Sequence, residues 1–257
     1  MSGATPVVTR RIVLAFTHGA APLPALRTAA DFARLLDAEL HGLLVEDERL
    51  FAAAALSFTR QLDAALRWQP LSQEGLAEQY AAAAGLLRRH LLRAAEAAGV
   101  VGRFTVVRGD PLALLASSAG TADLLAVLEA PGSPAARLAA SWAASARGAG
   151  EEPATLHVPR EAGPRSGAVV AVLASRDDPA LALARRIAAA AGERLLVVDL
   201  TSAPTAVAQA LPQLIRARAR LVVMQRSLFE RIGAGLASLV DGHRVGWLLL
   251  GRGEQLL

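Results

Sequence analysis

Five histidines (His18, His41, His90, His157 and His243) and the acidic run Glu46-Asp47-Glu48 are the groups of this chain best suited to acid-base or metal chemistry. No two histidines stand four residues apart, the spacing that would set both on one face of a helix, so no metal site is expected. His18 follows the first apolar run beside Thr17 and Gly19 and is the one placed to meet a ligand. A histidine that caps a strand end or faces solvent is the other reading. His41 falls within an apolar run and reads as structural. The acidic run is either a polar-ligand position at a strand end or the start of a helix, where carboxylates meet the positive end of the helix dipole. No Gly-x-Ser-x-Gly elbow is present, so no catalytic nucleophile or base is assigned and no enzymatic activity is expected.

Whole residue types are missing. The chain has 257 residues and no Cys, Lys or Asn, so all 27 basic residues are Arg. Disulfides, thiolate metal sites, Schiff-base lysines and the phosphate-binding P-loop with its obligatory Lys are thereby excluded. The formal net charge is +4, and residues 161–257 supply all of it. The densest basic region is Arg216, Arg218, Arg220, Arg226 and Arg231, a possible patch for a phosphate, an acidic partner or nucleic acid. Alternate spacing would scatter the first three around a helix, and no aromatic residues interleave to stack bases, so a solvated surface is favoured and nucleic acid is not expected. Gly233-Ala234-Gly235 lacks the immediately preceding strand and the third glycine of a dinucleotide fingerprint and is expected to lead into a helix.

The elements that must position these residues follow an α/β pattern. Apolar runs at Ile12 to Phe16, Leu40 to Val45, Phe104 to Val107, Asp123 to Leu128 and Thr155 to Val158 alternate with helical spacings, the signature of a parallel sheet. Helices are predicted after Pro22 and Pro24, from Leu50 to about Trp68, from about Ser72 to Ala98, and from Pro134 to Arg147. In the turn Gly109-Asp110-Pro111, Asp110 is expected as the N-cap of a helix with Pro111 at its first position. The Leu50 to Leu71 segment is rich in Ala, Leu, Phe and Trp. Its stripe of Phe51, Phe58, Leu62 and Leu66 is expected to cover the chain's own core, with a partner helix or a cap over a ligand crevice as alternatives.

After a linker at Arg160 to Gly167, the pattern restarts. Val169 to Leu173 matches Ile12 to Phe16, Leu195 to Leu200 is the next strand, and Ala219 to Met224 mirrors Ala122 to Val127. The offset falls from 157 to 97, so about 60 residues corresponding to the long helical segment and third strand are missing. Two domains are expected, 10–160 and a shortened 166–257, ending in a strand at Val245 to Leu250.

Four pieces in order, Ile12-Val13-Leu14-Ala15-Phe16, Asp37 to Val45, Val107-Arg108-Gly109-Asp110-Pro111 and Ala122 to Val127, resemble the universal stress protein family over Arg11 to about Arg160. The resemblance implies doubly wound parallel-sheet modules of strand order 3-2-1-4-5, with a ligand crevice at the carboxyl ends of strands one and four. It also implies, for nucleotide-binding members, an Asp closing the first strand and a Gly-x2-Gly-x9-Gly-Ser/Thr loop around the phosphates. Here the Asp position holds Thr17 and Ala174. The glycine positions hold Leu128, Pro131 and Ser141 in the first half and Gln225, Leu228 and Ser238 in the second. ATP is therefore not expected to bind in the usual way, and no cofactor is expected. The leading expectation is a non-enzymatic tandem protein acting by protein association. Its last strands would pair within the chain as an intramolecular pseudo-dimer or between chains as a homodimer. The alternative is a small-ligand or adenine-nucleotide sensor with a rebuilt crevice around Thr17, His18, Gly109, Asp110 and Gly132. The N-terminal stretch has no signal-like core, and no apolar run approaches the roughly 20 residues of a membrane span, so a cytoplasmic location is expected.

Overall fold

Ile12, Leu14 and Phe16 are buried on one side of strand β1 (Arg10–Phe16) and Val13 on the other. Burial on both faces is why the strand reads as a continuous apolar run rather than an alternating one. The computed structural model describes residues 10–16, 22–63, 66–111, 113–114, 124–128, 154–159, 166–200, 218–232 and 245–251. Helix α1 (Leu23–Leu35), opened by Pro22 and Pro24, lays Ala25, Leu26, Ala29, Phe32 and Ala33 on the sheet. Strand β2 (Ala38–Asp47), short helix α2 (Glu48–Ala54), a hairpin of β3 (Arg60–Leu62) and β4 (Trp68–Pro70), helix α3 (Gln73–Ala98) and strand β5 (Gly102–Gly109) follow. Helix α3 starts where Ser72 Oγ accepts the Gly75 amide at 3.1 Å and stops at Gly99, whose φ of 71° only glycine adopts freely. Beyond it lie β6 (Leu124–Val127), β7 (Thr155–His157), β8 (Val169–Leu173), helix α4 (Pro179–Ala191), β9 (Leu195–Asp199), β10 (Leu221–Gln225), helix α5 (Arg226–Ile232) and β11 (Gly246–Leu250).

Nine of these strands form one sheet in the order β5-β2-β1-β6-β7-β11-β10-β8-β9. The last strands of the two expected modules were expected to pair within the chain or between chains; they pair within it, and hydrogen bonds run unbroken from β5 to β9. Every neighbouring pair is parallel except β7 and β11, which meet antiparallel with Leu156 opposite Leu248. Since β7 lies between β6 and β11, and β11 between β7 and β10, neither has an edge to offer a second chain. Homodimerisation through the last strands is therefore closed, because their backbone groups are already paired inside the molecule.

One sheet face carries Ile12, Leu14, Leu124, Leu156, Leu248, Leu221 and Val169 in a single core that passes under the β7 and β11 seam. Helix α1 bridges that seam: a methyl at Gly246 of β11 would come within 2.5 Å of Phe32 Cζ. The opposite face holds two separate clusters, around Val13, Leu43 and Leu125 and around Val170, Met224, Phe229 and Trp247.

The outer strands differ. On β5, Arg103 pairs with Glu39 at 2.9 Å and Arg108 with Glu46 at 2.8 Å, both across to β2. On β9, Leu195-Leu196-Val197-Val198 is uncharged, and among the described residues β9 has no neighbour on its outer side.

The helix expected from Leu50 to Trp68 is replaced by α2 and the β3 and β4 hairpin. Thr59 Oγ1 donates to the Ala53 carbonyl at 2.7 Å, satisfying the end of α2, and the chain turns away. Phe51 and Ala54 are buried as expected, but Phe58, Leu62 and Leu66 point to solvent, so that part of the stripe covers no core. The predicted helix at Pro134 to Arg147 and most of the Arg160 to Gly167 linker lie outside the described residues. Among the described residues no helix is long and apolar enough to cross a membrane.

Candidate functional site

In a doubly wound sheet the crevice opens where successive connections leave a strand on opposite sides. Here that occurs at the carboxyl ends of β1 and β6 and again at those of β8 and β10. Thr17, His18 and Gly132, expected at the first of these, lie outside the described residues. Gly109 and Asp110 are described, and they stand at the end of the outer strand β5, with Gly109 in register with Asp47 of β2.

Around them lies a belt of paired charge. Asp110 is in an ion pair with the Arg49 guanidinium. Arg108 donates to Glu46 and places its guanidinium 3.8 Å over the Phe51 ring, which stacks on Tyr80. Asp47 accepts the Arg49 amide at 2.9 Å as N-cap of α2, with Glu48 in the first turn. The acidic run therefore ends β2 and starts α2, with Asp47 as the cap and Glu46 paired across to Arg108. Asp110 accepts the Leu114 amide through its carbonyl, as the first residue of a helical turn does. His41 Nε2 lies 2.9 Å from Thr105 Oγ1 across β2 and β5, in the structural role expected of it. Among the described residues no group of three or more metal-binding side chains converges.

At the second crevice one side chain occupies the centre. Asp178, only 3% exposed, precedes α4 and accepts three hydrogen bonds. They come from the amides of Ala174 at 2.8 Å and Ala180 at 3.0 Å, and from Gln225 Nε2 at 3.3 Å. The carboxylate thus ties the end of β8 to the end of β10 and caps α4 in one group. Sequence reasoning passed over Asp178 although Asp178-Pro179 repeats the Asp110-Pro111 signal it did use. Directly after Gln225, β10 runs into α5, which buries Leu228 and Phe229.

The arginine-rich region does not form one surface. Arg216 lies outside the described residues, Arg218 and Arg231 are exposed, and Arg220 and Arg226 are buried at opposite ends of β10. Arg226 Nη2 donates to Thr155 Oγ1 at 2.9 Å, and Thr155 Oγ1 lies 3.2 Å from His157 Nε2, a buried polar group beside the seam. Arg220 stands 6.0 Å from the Phe32 ring. Burial lowers its pKa from the ordinary arginine value, and Asp31 opposes that shift. The guanidinium still stays charged at neutral pH. A solvent-facing anion patch built from all five is thus corrected, because strand β10 separates two of them and buries both.

A scan against sequence-family models finds no match to this chain, and a search among curated proteins finds none either. Solved structures do match. A universal stress protein from Archaeoglobus fulgidus DSM 4304 aligns with a TM-score of 0.59 at 11% identity, covering 94% of this chain and 98% of that one. The fold is that of a universal stress protein. Within a universal-stress-protein fold, the positions that the resemblance assigns to the adenine-facing Asp and the first two phosphate-loop glycines are here Ala174, Gln225 and Leu228 in the second half. The first donates an amide to Asp178, the second donates its side-chain amide to the same carboxylate, and the third is a buried residue of α5. In the first half, Leu128 follows β6 and packs half-buried against the core, while Pro131 and Ser141 lie outside the described residues.

Proposed function

We propose that this chain is a non-enzymatic, tandem universal-stress-protein-like protein that acts in stress response or regulation through protein association, without ATP bound in the family's usual manner. The observation that carries the reading is Asp178. A buried carboxylate joined to the ends of both β8 and β10 supports it, since a negative group at that crevice disfavours a phosphate there. Among the described residues, β10 also passes directly into α5, so Gln225 and Leu228, not glycines, stand at the first two loop positions of the second half.

The tandem reading, with modules at 10–160 and 166–257, is supported by the strand order. From the seam outward the first half runs β7-β6-β1-β2-β5 and the second β11-β10-β8-β9, the same winding without a fifth strand among the described residues. Antiparallel pairing of β7 with β11 makes the pair an intramolecular pseudo-dimer. The universal stress protein structure from Archaeoglobus fulgidus aligns over 94% of this chain and so spans both halves. Loss of the third strand leaves β9 as an apolar outer edge, suited to receive a strand from a protein partner.

Isothermal titration with ATP tests the reading. No saturable heat is expected at micromolar nucleotide, and mass spectrometry of the denatured protein should release no adenine nucleotide. Micromolar affinity, or a stoichiometric released nucleotide, would overturn it in favour of the sensor with an altered binding mode.

A further inference from the structure

The hairpin of β3 and β4 is a projection whose large side chains point away from the protein. Leu62 and Trp68 are directly opposite each other in the ladder and share one face with Arg60 and Pro70. Trp68 is 66% exposed, Leu66 at the tip is 77% exposed and Phe58 at the foot is 79% exposed. Such a concentration of exposed Leu, Phe and Trp on one hairpin is not the scatter expected of an ordinary surface.

The tip is held in shape from within. Asp63 accepts the Arg67 amide at 2.9 Å, Arg67 Nε at 3.1 Å and Gln69 Nε2 at 2.9 Å. The Asp63 amide donates to the Arg67 carbonyl, and the Leu66 amide donates to the Asp63 carbonyl. Leu66 adopts φ 60°, a left-handed conformation that strains a leucine, and its side chain is exposed. The carboxylate near the tip is compensated by Arg67, which is paired with it.

Leu66 stands at the tip beside the paired Asp63 and Arg67, a Leu and Trp pair in the middle, and Arg60 with the Phe58 ring at the foot. Four residues of extended chain from Thr59 to Asp63 span about 13 Å. An interfacial segment sinks about 5–10 Å into the headgroup and acyl boundary, so the tip reaches that layer while the foot stays among the headgroups. Tryptophan favours that interface, and arginine favours anionic headgroups. Arg60 has no ion pair among the described residues, so its charge faces outward.

We infer that this hairpin docks the protein on the surface of a membrane containing anionic lipid, with Leu66, Leu62 and Trp68 entering the interface and Arg60 meeting lipid phosphate. Flotation with phosphatidylcholine vesicles, with and without about one-third phosphatidylglycerol, tests it on the full chain. Wild type should float with the anionic vesicles at low salt and much less with neutral ones. Leu66→Asp should weaken partitioning at least tenfold, and Arg60→Gln about fivefold on anionic vesicles only. With Trp142, which lies outside the described residues, replaced by Phe in both proteins, the fluorescence blue shift on binding should vanish in Trp68→Phe, since Trp247 is already buried. All these side chains are exposed, and an unchanged unfolding midpoint confirms that each variant is folded. Failure of wild type to float, or flotation of Leu66→Asp equal to wild type, would overturn the inference. So would a concentration-dependent dimer in vesicle-free buffer that Leu66→Asp abolishes, which would make a second copy the occupant instead.

Discussion

Asp178 combines three jobs that are usually distributed over several residues: N-cap of α4, tether of the chain leaving β8, and acceptor for the Gln225 amide. Removing it leaves the buried Ala180 amide and two part-buried donors, the Ala174 amide and the Gln225 side chain, without their acceptor. Loss of the cap costs about 1 kcal/mol, and the two part-buried donors, which water partly reaches, add roughly 1–3 together. Asp178→Ala should therefore lower unfolding stability by about 2–4 kcal/mol in urea titration, with Asp178→Asn recovering part of the loss by keeping one acceptor oxygen. The candidate site was only partly legible at this scale. Gly109 and Asp110 stood out because Gly-Asp-Pro is a local turn signal, yet the ion-pair partner of Asp110, Arg49, lies 61 residues away and is brought to it by the register of β2 with β5. The acceptor role of Asp178 toward Gln225, 47 residues distant, is likewise set by strand order, which no local spacing encodes. The arginine cluster misled for a related reason. Adjacent in sequence, Arg220 and Arg226 are separated by the whole length of a buried strand.

At the scale of elements, buried strands were the clearest feature. A run such as Val169 to Leu173, buried on both faces, needs apolar residues at every position and so announces itself. The hairpin was misread because Phe58, Leu62 and Leu66 are spaced by four, a separation that fits a helical face and also the even period of a strand. Only the exposure of these side chains distinguishes the two, and exposure is decided by what packs above them. Leu66 offers a direct check. A leucine in the left-handed region costs about 1–2 kcal/mol, whereas a glycine there costs about 0.5–1 through the greater freedom of its unfolded chain. Leu66→Gly is thus expected to match wild-type stability or exceed it by up to about 1 kcal/mol in thermal unfolding. A clear destabilisation would mean that the leucine packs against something in the folded chain.

For the molecule as a whole, the decisive contact is Phe32 of α1 against Gly246 of β11, because it joins an early helix to the last strand across the seam. A single core crossing that seam should make both halves unfold together. Overpacking typically costs 1–3 kcal/mol, so Gly246→Val should lower stability by roughly that amount. The wild type should give coincident midpoints by circular dichroism and tryptophan fluorescence. Should the variant split that single transition into two, the seam is where cooperativity resides. Two distinct transitions in the wild type would mean that the shared core does not couple the halves.

The two outer strands bear on assembly. Arginine and glutamate pairs line β5, and charge on an outer strand discourages a further strand from adding there. Among the described residues β9 carries charge only at its end, Asp199, and its apolar run leaves Val197 49% exposed. Growth by strand addition therefore has one permissive end and one blocked end. If two copies met through β9, a two-fold axis would bury both permissive ends at once and leave only guarded ones outside. Such an association terminates at a pair, where two open ends would have propagated into a filament.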